Sequence, residues 1–170
     1  RGGMGAVYEG RDPMLDRRVA IKTLNYTVTP DKNMRSRFER EAKAAAKLQH
    51  SNIVTVYELG NFGGEEQPYI VMEYLEGKDV ASLIGSRDLT ILESIDITIQ
   101  LCKALDYAHQ NGVVHRDIKP ANLRYLEDGQ IKIMDFGIAR VEESQQITES
   151  GVMVGSVHYM SPEQIRGEVL

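Results

Sequence analysis

The sequence predicts an α+β fold in which a small antiparallel β lobe with one main helix is followed by the first part of a mainly helical large lobe. Short apolar runs separated by turn residues occur through residues 1–73 and are typical of β-hairpins. Residues 92–110 then carry apolar side chains at helical spacing. We therefore predict one domain, with the small lobe at residues 1–73 and a hinge with part of the large lobe at residues 74–170.

Composition limits the class of protein. The 170 residues are 42% hydrophobic and 26% charged, which is ordinary for a globular domain with a core. A net charge of −5 disfavours nucleic acid or an anionic membrane as the main partner. The single cysteine, Cys102, fits a reducing compartment and is expected to be buried among apolar residues. We predict a cytoplasmic domain without membrane contact in this segment, and an anchor outside these residues stays open.

The first element is a glycine cluster at residues 1–7, Arg-Gly-Gly-Met-Gly-Ala-Val. Gly2, Gly3 and Gly5 carry no side chains, so the backbone there can approach a phosphate group closely. Such a cluster alone is equally typical of a flexible turn. Two short strands are predicted next, at residues 8–11 and 18–23, joined by a turn around Asp12-Pro13.

The second strand carries Val-Ala-Ile-Lys at residues 19–22, and the helix predicted after Asp31 suggests a partner for its lysine. Glu41 lies on the apolar face of that helix, beside Phe38 and Ala45. An unpaired buried carboxylate would cost about 3–5 kcal/mol, which favours an ion pair between Glu41 and Lys22. Solvent exposure of both side chains is the alternative.

A further strand pair is predicted at residues 53–60 and 68–73, with a polar Gly-Gly-Glu-Glu turn between the strands. Asp79 can then cap a short helix through Ile84. The long helix at residues 92–110 ends at Asn111-Gly112. Its predicted buried face consists of Ile95, Ile99, Cys102, Leu105 and Ala108.

The polar loop after this helix is the strongest functional signal. Pro120 prevents a helix from running through it, so Asp117, Lys119 and Asn122 can converge from irregular backbone. A hairpin with its turn at residues 127–129 then returns Asp135 to the same place. A polar surface turn is the alternative, but a second carboxylate is what phosphoryl transfer requires as a further magnesium ligand.

These motifs resemble the protein kinase family. His-Arg-Asp-x-Lys-Pro-x-Asn at residues 115–122 and Asp-Phe-Gly at 135–137 are similar to its catalytic core, and Ser-Pro-Glu at 161–163 is similar to the end of its activation segment. Lys119, two residues after Asp117, resembles serine/threonine kinases. The glycine cluster and Tyr-Met-Ser-Pro-Glu-Gln resemble the bacterial, eukaryotic-like (Hanks-type) branch.

The resemblance implies transfer of the ATP γ-phosphoryl group to protein Ser/Thr hydroxyls in bacterial signalling. Asp117 would accept the hydroxyl proton, Lys119 would steady the phosphoryl group, and Lys22 paired with Glu41 would hold the α- and β-phosphates. Two Mg²⁺ (or Mn²⁺) ions would be held by Asn122 and Asp135. The implied ATP-binding residues are Gly2, Gly3, Gly5, Val7, Ala20, Lys22, Met72 as gatekeeper, Glu73 and Leu75 of the hinge, and Arg124 beneath the adenine.

The resemblance also implies control through the activation segment. Arg116, beside the catalytic Asp117, would bind a phosphorylated residue, and the candidates are Thr148 and Ser150, with Ser144 the weaker one. Autophosphorylation would take place in a dimer. Ordinary solvated hydroxyls are the alternative.

Two other functions are compatible with parts of this pattern. A pseudokinase scaffold that only binds nucleotide would be expected to lack Lys22, Asp117 or Asp135, and all three are present. A small-molecule kinase such as an aminoglycoside phosphotransferase generally lacks the Pro-Glu motif that ends the activation segment, and this chain has it at residues 162–163.

The chain departs from the protein kinase pattern in its absent first glycine, in Ser156 where threonine is usual, and in Arg124 where an apolar residue is usual. We expect a fragment cut at both ends that is inactive or poorly folded when expressed alone.

Overall fold

The computed structural model describes residues 5–24, 38–39, 42–63, 67–136 and 157–166. Four strands form an antiparallel sheet in the order β1-β2-β4-β3. They are β1 (Gly5–Asp12), β2 (Arg17–Leu24), β3 (Val56–Phe62) and β4 (Gln67–Glu73). The predicted antiparallel lobe is therefore confirmed. Its first turn forms because the Asp12 carboxylate accepts hydrogen bonds from the backbone N–H groups of Met14 and Leu15, at 3.1 and 3.2 Å.

The register of this sheet places four of the predicted ATP-binding residues on one face. Val7 is the partner of Lys22, and Ala20 is the partner of Met72. Because side chains alternate along a strand, the side chains of Ala20 and Lys22 share a face, together with those of their partners. Buried Met72 on this face packs with Phe38 of the helical residues 38–39 and 42–45, in a cluster that also contains Ala42, Val54 and Ile70.

Strand β3 begins later than predicted. Residues 53–55 were expected in the strand, but the backbone N–H of Val54 donates to Ile133 O at 3.0 Å, and the N–H of Ile133 donates to Asn52 O at 2.8 Å. Ile53 forms an isolated parallel bridge with Ile133. This segment therefore pairs with a strand of the second sheet, and only from Val56 onward does the chain join the first.

The second sheet has three antiparallel strands, β5 (Lys78–Asp79), β6 (Leu123–Tyr125) and β7 (Ile131–Ile133), in that order. Two helices lie between β5 and β6, namely α1 (Val80–Ser86) and α2 (Ile91–Gln110). The predicted Asp79 cap is confirmed, since its carboxylate accepts from the N–H of Ser82 at 2.8 Å. Thr90 and Glu93 form a reciprocal capping box at the start of α2.

Two expectations about α2 were wrong. Cys102 is exposed, and so are Ile95 and Ile99 from the predicted buried face. The buried residues of α2 are Ile97, Ala104 and Ala108, so the prediction for Ala108 is confirmed, and Leu105 of the predicted face packs partly buried against the same core. Both sets recur at helical spacing, so periodicity alone cannot choose between them. The small Ala104 and Ala108, both 0% exposed, allow close packing in the core cluster that contains Ile133 and Phe136.

The last described elements are a 3₁₀ turn (Val157–Tyr159) and a short helix, α3 (Pro162–Ile165). Within the described ranges, no helix is long and apolar enough to cross a membrane.

Candidate active site

The loop after α2 brings Asp117, Lys119 and Asn122 together. A 3₁₀ turn (Pro120–Asn122) folds the chain back, so that Asn122 Nδ2 donates to Asp117 O at 2.7 Å and to Asp117 Oδ2 at 2.9 Å. Lys119 Nζ lies 2.8 Å from the same Oδ2. Asp117 and Asn122 are both buried. Two donors on one oxygen fix the orientation of a carboxylate that has little contact with water.

His115 supports the backbone of this loop. Its Nδ1 accepts from the N–H of Asp117 at 3.2 Å, and its Nε2 lies 2.8 Å from Met134 O. Because a carbonyl can only accept, the ring hydrogen belongs on Nε2, and the imidazole is neutral with Nδ1 as acceptor. Burial, the largest influence, lowers the pKa of His115 below 6.5 and so favours this neutral form. The ring packs on Phe136 with centroids 4.6 Å apart.

Asp135 reaches the site from the other side. Strands β6 and β7 form the predicted hairpin, and the N–H of Met134 donates to Asn122 O at 2.9 Å. Asp135 Oδ1 lies 2.6 Å from Lys22 Nζ on β2, across 113 positions of the chain. Asp135 has a φ of 56°, which is uncommon for a residue with a side chain. Lys22 therefore holds the Asp135 side chain against the face of the sheet that also carries Ala20.

Several sequence-predicted residues lie outside the described residues. These are Gly2, Gly3, Glu41, Ser144, Thr148, Ser150 and Ser156. The predicted Lys22–Glu41 pair is therefore still a prediction. Gly5 is the first residue of β1, and Arg116 has a φ of 67°.

The predicted hinge begins at Glu73, the last residue of β4, and is preceded by the predicted gatekeeper Met72. Met72 is buried and Leu75 is half-buried. The Glu73 carboxylate turns to Lys132 of β7, with 2.9 Å between Nζ and Oε2, and the same oxygen accepts from the N–H of Thr55 at 3.2 Å. Gly77, with a φ of 117°, lets the following chain lie against β6, since a Cβ there would be 2.1 Å from Tyr125 O.

Arg124 lies on β6 with Asp79 as its cross-strand partner, and it is half-buried. The pKa of Asp79 is lowered first by its hydrogen bonds from Ser82, and the positive charge of Arg124 contributes further.

The donor set at this site fits magnesium. Among the described residues there is no cluster of three or more His, Cys, Asp or Glu side chains that could hold a metal. The Asn122 amide and the Asp135 carboxylate nevertheless lie on adjoining segments joined by the Met134–Asn122 hydrogen bond. Both supply hard oxygen atoms, and Mg²⁺ is commonly held by one or two such groups with substrate phosphates completing its shell.

Sequence reasoning gave no role to two residues of this region, although each had a signal. Lys132 is a charged residue inside the apolar run Ile131–Ile133, and it is buried. Gln164 stands three residues after Ser161, which is the spacing of a capping box. Its amide Nε2 donates to Arg116 O, in the loop that follows α2, at 2.8 Å.

Comparisons with known proteins identify the family of this chain. The family model described as "Protein kinase domain" matches residues 1–170. A probable serine/threonine-protein kinase of Streptomyces coelicolor is 44% identical over 99% of this chain and 26% of its own length. The serine/threonine-protein kinase PrkC of Bacillus subtilis is 46% identical over 98% of this chain and 26% of its own length. The chain thus spans about a quarter of the length of these relatives.

A solved structure gives the same result for the fold. The kinase domain of Mycobacterium tuberculosis PknI superimposes with a TM-score of 0.77 and 33% identity, covering 100% of this chain and 63% of that domain structure. The antiparallel sheet, the helical segment after it and the loops between them therefore form the bilobal fold that the sequence predicted.

Proposed function

This chain belongs to the protein kinase family, and we propose that it transfers the γ-phosphoryl group of ATP to Ser or Thr hydroxyls of proteins. One observation carries the proposal: the buried Asp117 carboxylate is oriented by Lys119 at 2.8 Å and Asn122 at 2.9 Å. A carboxylate fixed in this way is suited to accept a proton from a hydroxyl nucleophile.

In the proposed reaction, the substrate hydroxyl oxygen forms a bond to the γ-phosphorus while the bond from that phosphorus to the β-phosphate oxygen breaks. The hydroxyl proton passes to the Asp117 carboxylate and then to solvent, and ADP leaves with the electron pair of the broken bond. Lys119 Nζ lies 2.8 Å from Asp117 Oδ2, and from there it would stabilise negative charge on the transferring group. Most of the catalysis is therefore positioning and charge stabilisation.

Asn122 and Asp135 would hold the Mg²⁺ (or Mn²⁺) ions, which when bound neutralise charge on the β- and γ-phosphate oxygens. Lys22 would bind the α- and β-phosphates. The support for this role is that its ammonium group lies 2.6 Å from Asp135, the proposed metal ligand.

The adenine would lie against the sheet face that carries Val7, Ala20 and Met72, with backbone groups of Glu73 and Leu75 at its polar edge. Arg124 would contact the base from β6 through its aliphatic stem or its guanidinium plane. Gly2, Gly3 and Gly5 would close over the triphosphate.

We also propose that the full-length protein acts in bacterial signalling in the cytoplasm and activates itself by phosphorylation. One support is the sequence identity to bacterial serine/threonine kinases. The other is that the hydroxyl residues Thr148 and Ser150 lie between Asp-Phe-Gly at residues 135–137 and Ser-Pro-Glu at residues 161–163. A phosphate there would add about −1.5 to −2 charge, for which Arg116 is the proposed partner. Phosphorylation between two copies would require a transient dimer.

The test is Asp117→Asn in the full-length protein, assayed with labelled ATP and a generic basic protein as substrate. We expect phosphate transfer to fall by roughly 10²–10⁴, because the general base is lost, while binding of a non-hydrolysable ATP analogue stays within about twofold. Asp106→Asn on the exposed surface of α2 is the matched control and should leave both unchanged.

Retained transfer in the Asp117→Asn protein would refute the assignment of Asp117. Nucleotide binding without any transfer by the unaltered protein would instead favour a scaffold function, and transfer to a small molecule but to no protein would favour a small-molecule kinase.

A further inference from the structure

The short helix α3 is tied to the catalytic loop by one side chain. Gln164 Nε2 donates to Arg116 O at 2.8 Å, and the two residues are 48 positions apart. Arg116 O belongs to the peptide group that joins Arg116 to Asp117. The bond therefore acts on the backbone immediately before the proposed catalytic carboxylate.

That peptide group is held from both sides. Its N–H, which belongs to Asp117, donates to His115 Nδ1 at 3.2 Å, while its carbonyl accepts from Gln164. Arg116 has a φ of 67°, an unfavourable value for a residue with a side chain, which persists only where the surroundings impose it. Two side-chain hydrogen bonds on one peptide group supply such a constraint.

Gln164 performs a second task at the same time. Its Oε1 accepts from the N–H of Ser161 at 3.0 Å, and its own N–H donates to Ser161 Oγ at 3.4 Å, which completes the capping box of α3. A glutamate would serve that box equally well, since a carboxylate also accepts. Only an amide can accept from Ser161 and donate to the carbonyl of Arg116.

We propose that Gln164 is a positioning residue that holds the Arg116–Asp117 peptide, and thereby the Asp117 carboxylate, in register with the segment at residues 157–166. This inference rests on the proposed kinase function. The bond thereby fixes the position of the Asp117 carboxylate, and so its distance from a bound hydroxyl. Small errors in such a distance cost rate and leave nucleotide affinity unchanged.

Two substitutions separate the two tasks in the full-length protein. Gln164→Glu keeps the acceptor for Ser161 and loses the donor to Arg116, whereas Gln164→Lys keeps a donor and loses the acceptor. We expect kcat for a protein substrate to fall roughly tenfold to a hundredfold for Gln164→Glu, with the KM for ATP within twofold. Gln164→Lys should retain more of kcat than Gln164→Glu.

Two further variants are controls. Gln164→Met removes both bonds without adding charge and should resemble Gln164→Glu in kcat. Ser161→Ala removes only the hydroxyl of the cap, leaves the Arg116 bond in place, and should keep kcat within about twofold. Thermal unfolding of every variant shows whether the fold is intact. Gln164→Glu and Gln164→Lys each keep one of the two bonds. If one of them fails to fold, the other can still be compared with Gln164→Met.

The outcomes are distinguishable. If the unaltered protein transfers phosphate and Gln164→Glu retains full kcat, or if kcat follows the cap and falls for Gln164→Lys and Ser161→Ala instead, the inference is wrong while the proposed function stands. If the unaltered protein transfers no phosphate to any protein, the proposed function fails first.

Discussion

Two lysine–carboxylate pairs connect the four-stranded sheet to β7 of the three-stranded sheet and the residues directly after it. In the first, Lys22 of β2 contacts Asp135, two residues after β7, at 2.6 Å. In the second, Lys132 of β7 contacts Glu73 at the end of β4, at 2.9 Å. Their side chains are 15% and 35% exposed in the first pair, and 10% and 25% exposed in the second.

The surroundings of the two pairs differ more than the pairs themselves. Glu73 also accepts from the N–H of Thr55 at 3.2 Å and donates its own N–H to Thr55 O at 2.9 Å, so the second pair is bound into the backbone. Asp135, by contrast, has a backbone φ of 56°, which is uncommon for a residue with a side chain. Both residues of the first pair are proposed to bind phosphate or metal, so that pair must exchange partners during turnover. We therefore propose that the Lys22–Asp135 pair takes part in turnover, and that the Lys132–Glu73 pair joins the two sheets.

The largest expected effect comes from Lys22→Met. Loss of this cation should lower kcat by roughly 10²–10³, because charge on the phosphates would no longer be stabilised. Thermal stability should change little, since the Asp135 carboxylate, 35% exposed, can be hydrated. The assay is phosphate transfer by the full-length protein, followed by a thermal melt of the same sample.

The matched control is Lys132→Met, the same substitution in the other pair, which should lower stability more than kcat. If both variants lost activity and stability in equal proportion, the proposed division between turnover and attachment would be wrong.

The next effect is the stability change itself. Lys132→Met leaves the Glu73 carboxylate partly buried without its cation, and we expect a loss of about 2–3 kcal/mol in the free energy of unfolding. Glu73→Gln should recover part of this loss when combined with Lys132→Met, because no charge then needs a partner. Urea unfolding of the single and double variants measures the coupling, and strictly additive losses would contradict it.

The smallest expected effect is a pH dependence of stability that comes from His115. The pKa of His115 is lowered in the folded protein, mainly by burial, although the Met134 carbonyl and the carboxylates of Asp117 and Asp135 oppose this. The unfolded chain therefore binds more protons below pH 6.5, the ordinary pKa, so the contribution of His115 is complete above that pH and declines as the pH falls below it.

Protonation of Nδ1 would also remove the acceptor for the N–H of Asp117. The free energy of unfolding should fall by at most about 1.4 kcal/mol per pH unit through this one group. Melting temperatures between pH 8 and pH 5 should show a decline that is weaker in His115→Phe, which keeps a ring against Phe136. An unchanged slope in that variant would assign the pH dependence to other groups.

Local signals allowed much of the structure to be predicted. The Asp12 turn, the Asp79 cap and the end of α2 at Asn111 depend on residues within a few positions of each other. The convergence of Asp117 and Asn122 is also local, because five positions separate them.

What could not be predicted depends on distant segments. Lys132 and Glu73 are 59 positions apart, and their pairing follows from how the two sheets meet. On α2 two apolar stripes have the same period, and only the packing of Ala104 against the core determines which one is buried. The Gln164 capping box was visible in the sequence, but its bond to Arg116 was not, since an amide that caps a helix can point its other end anywhere.

The backbone bonds around Ile133 have a mechanical consequence. Its N–H and C=O join Asn52 and Val54, directly before the chain enters β3, at 2.8 and 3.0 Å. A movement that slides these two segments past each other would break both bonds, whereas a rotation that bends the chain between Val54 and Val56 would keep them. Ile133 is 0% exposed and two residues from Asp135, so these bonds lie inside the core and close in the chain to the carboxylate that is proposed to change partners. Such a rotation would widen the space beside Asp135, where the phosphates are proposed to bind, while the core around Ile133 stays packed and closed to water.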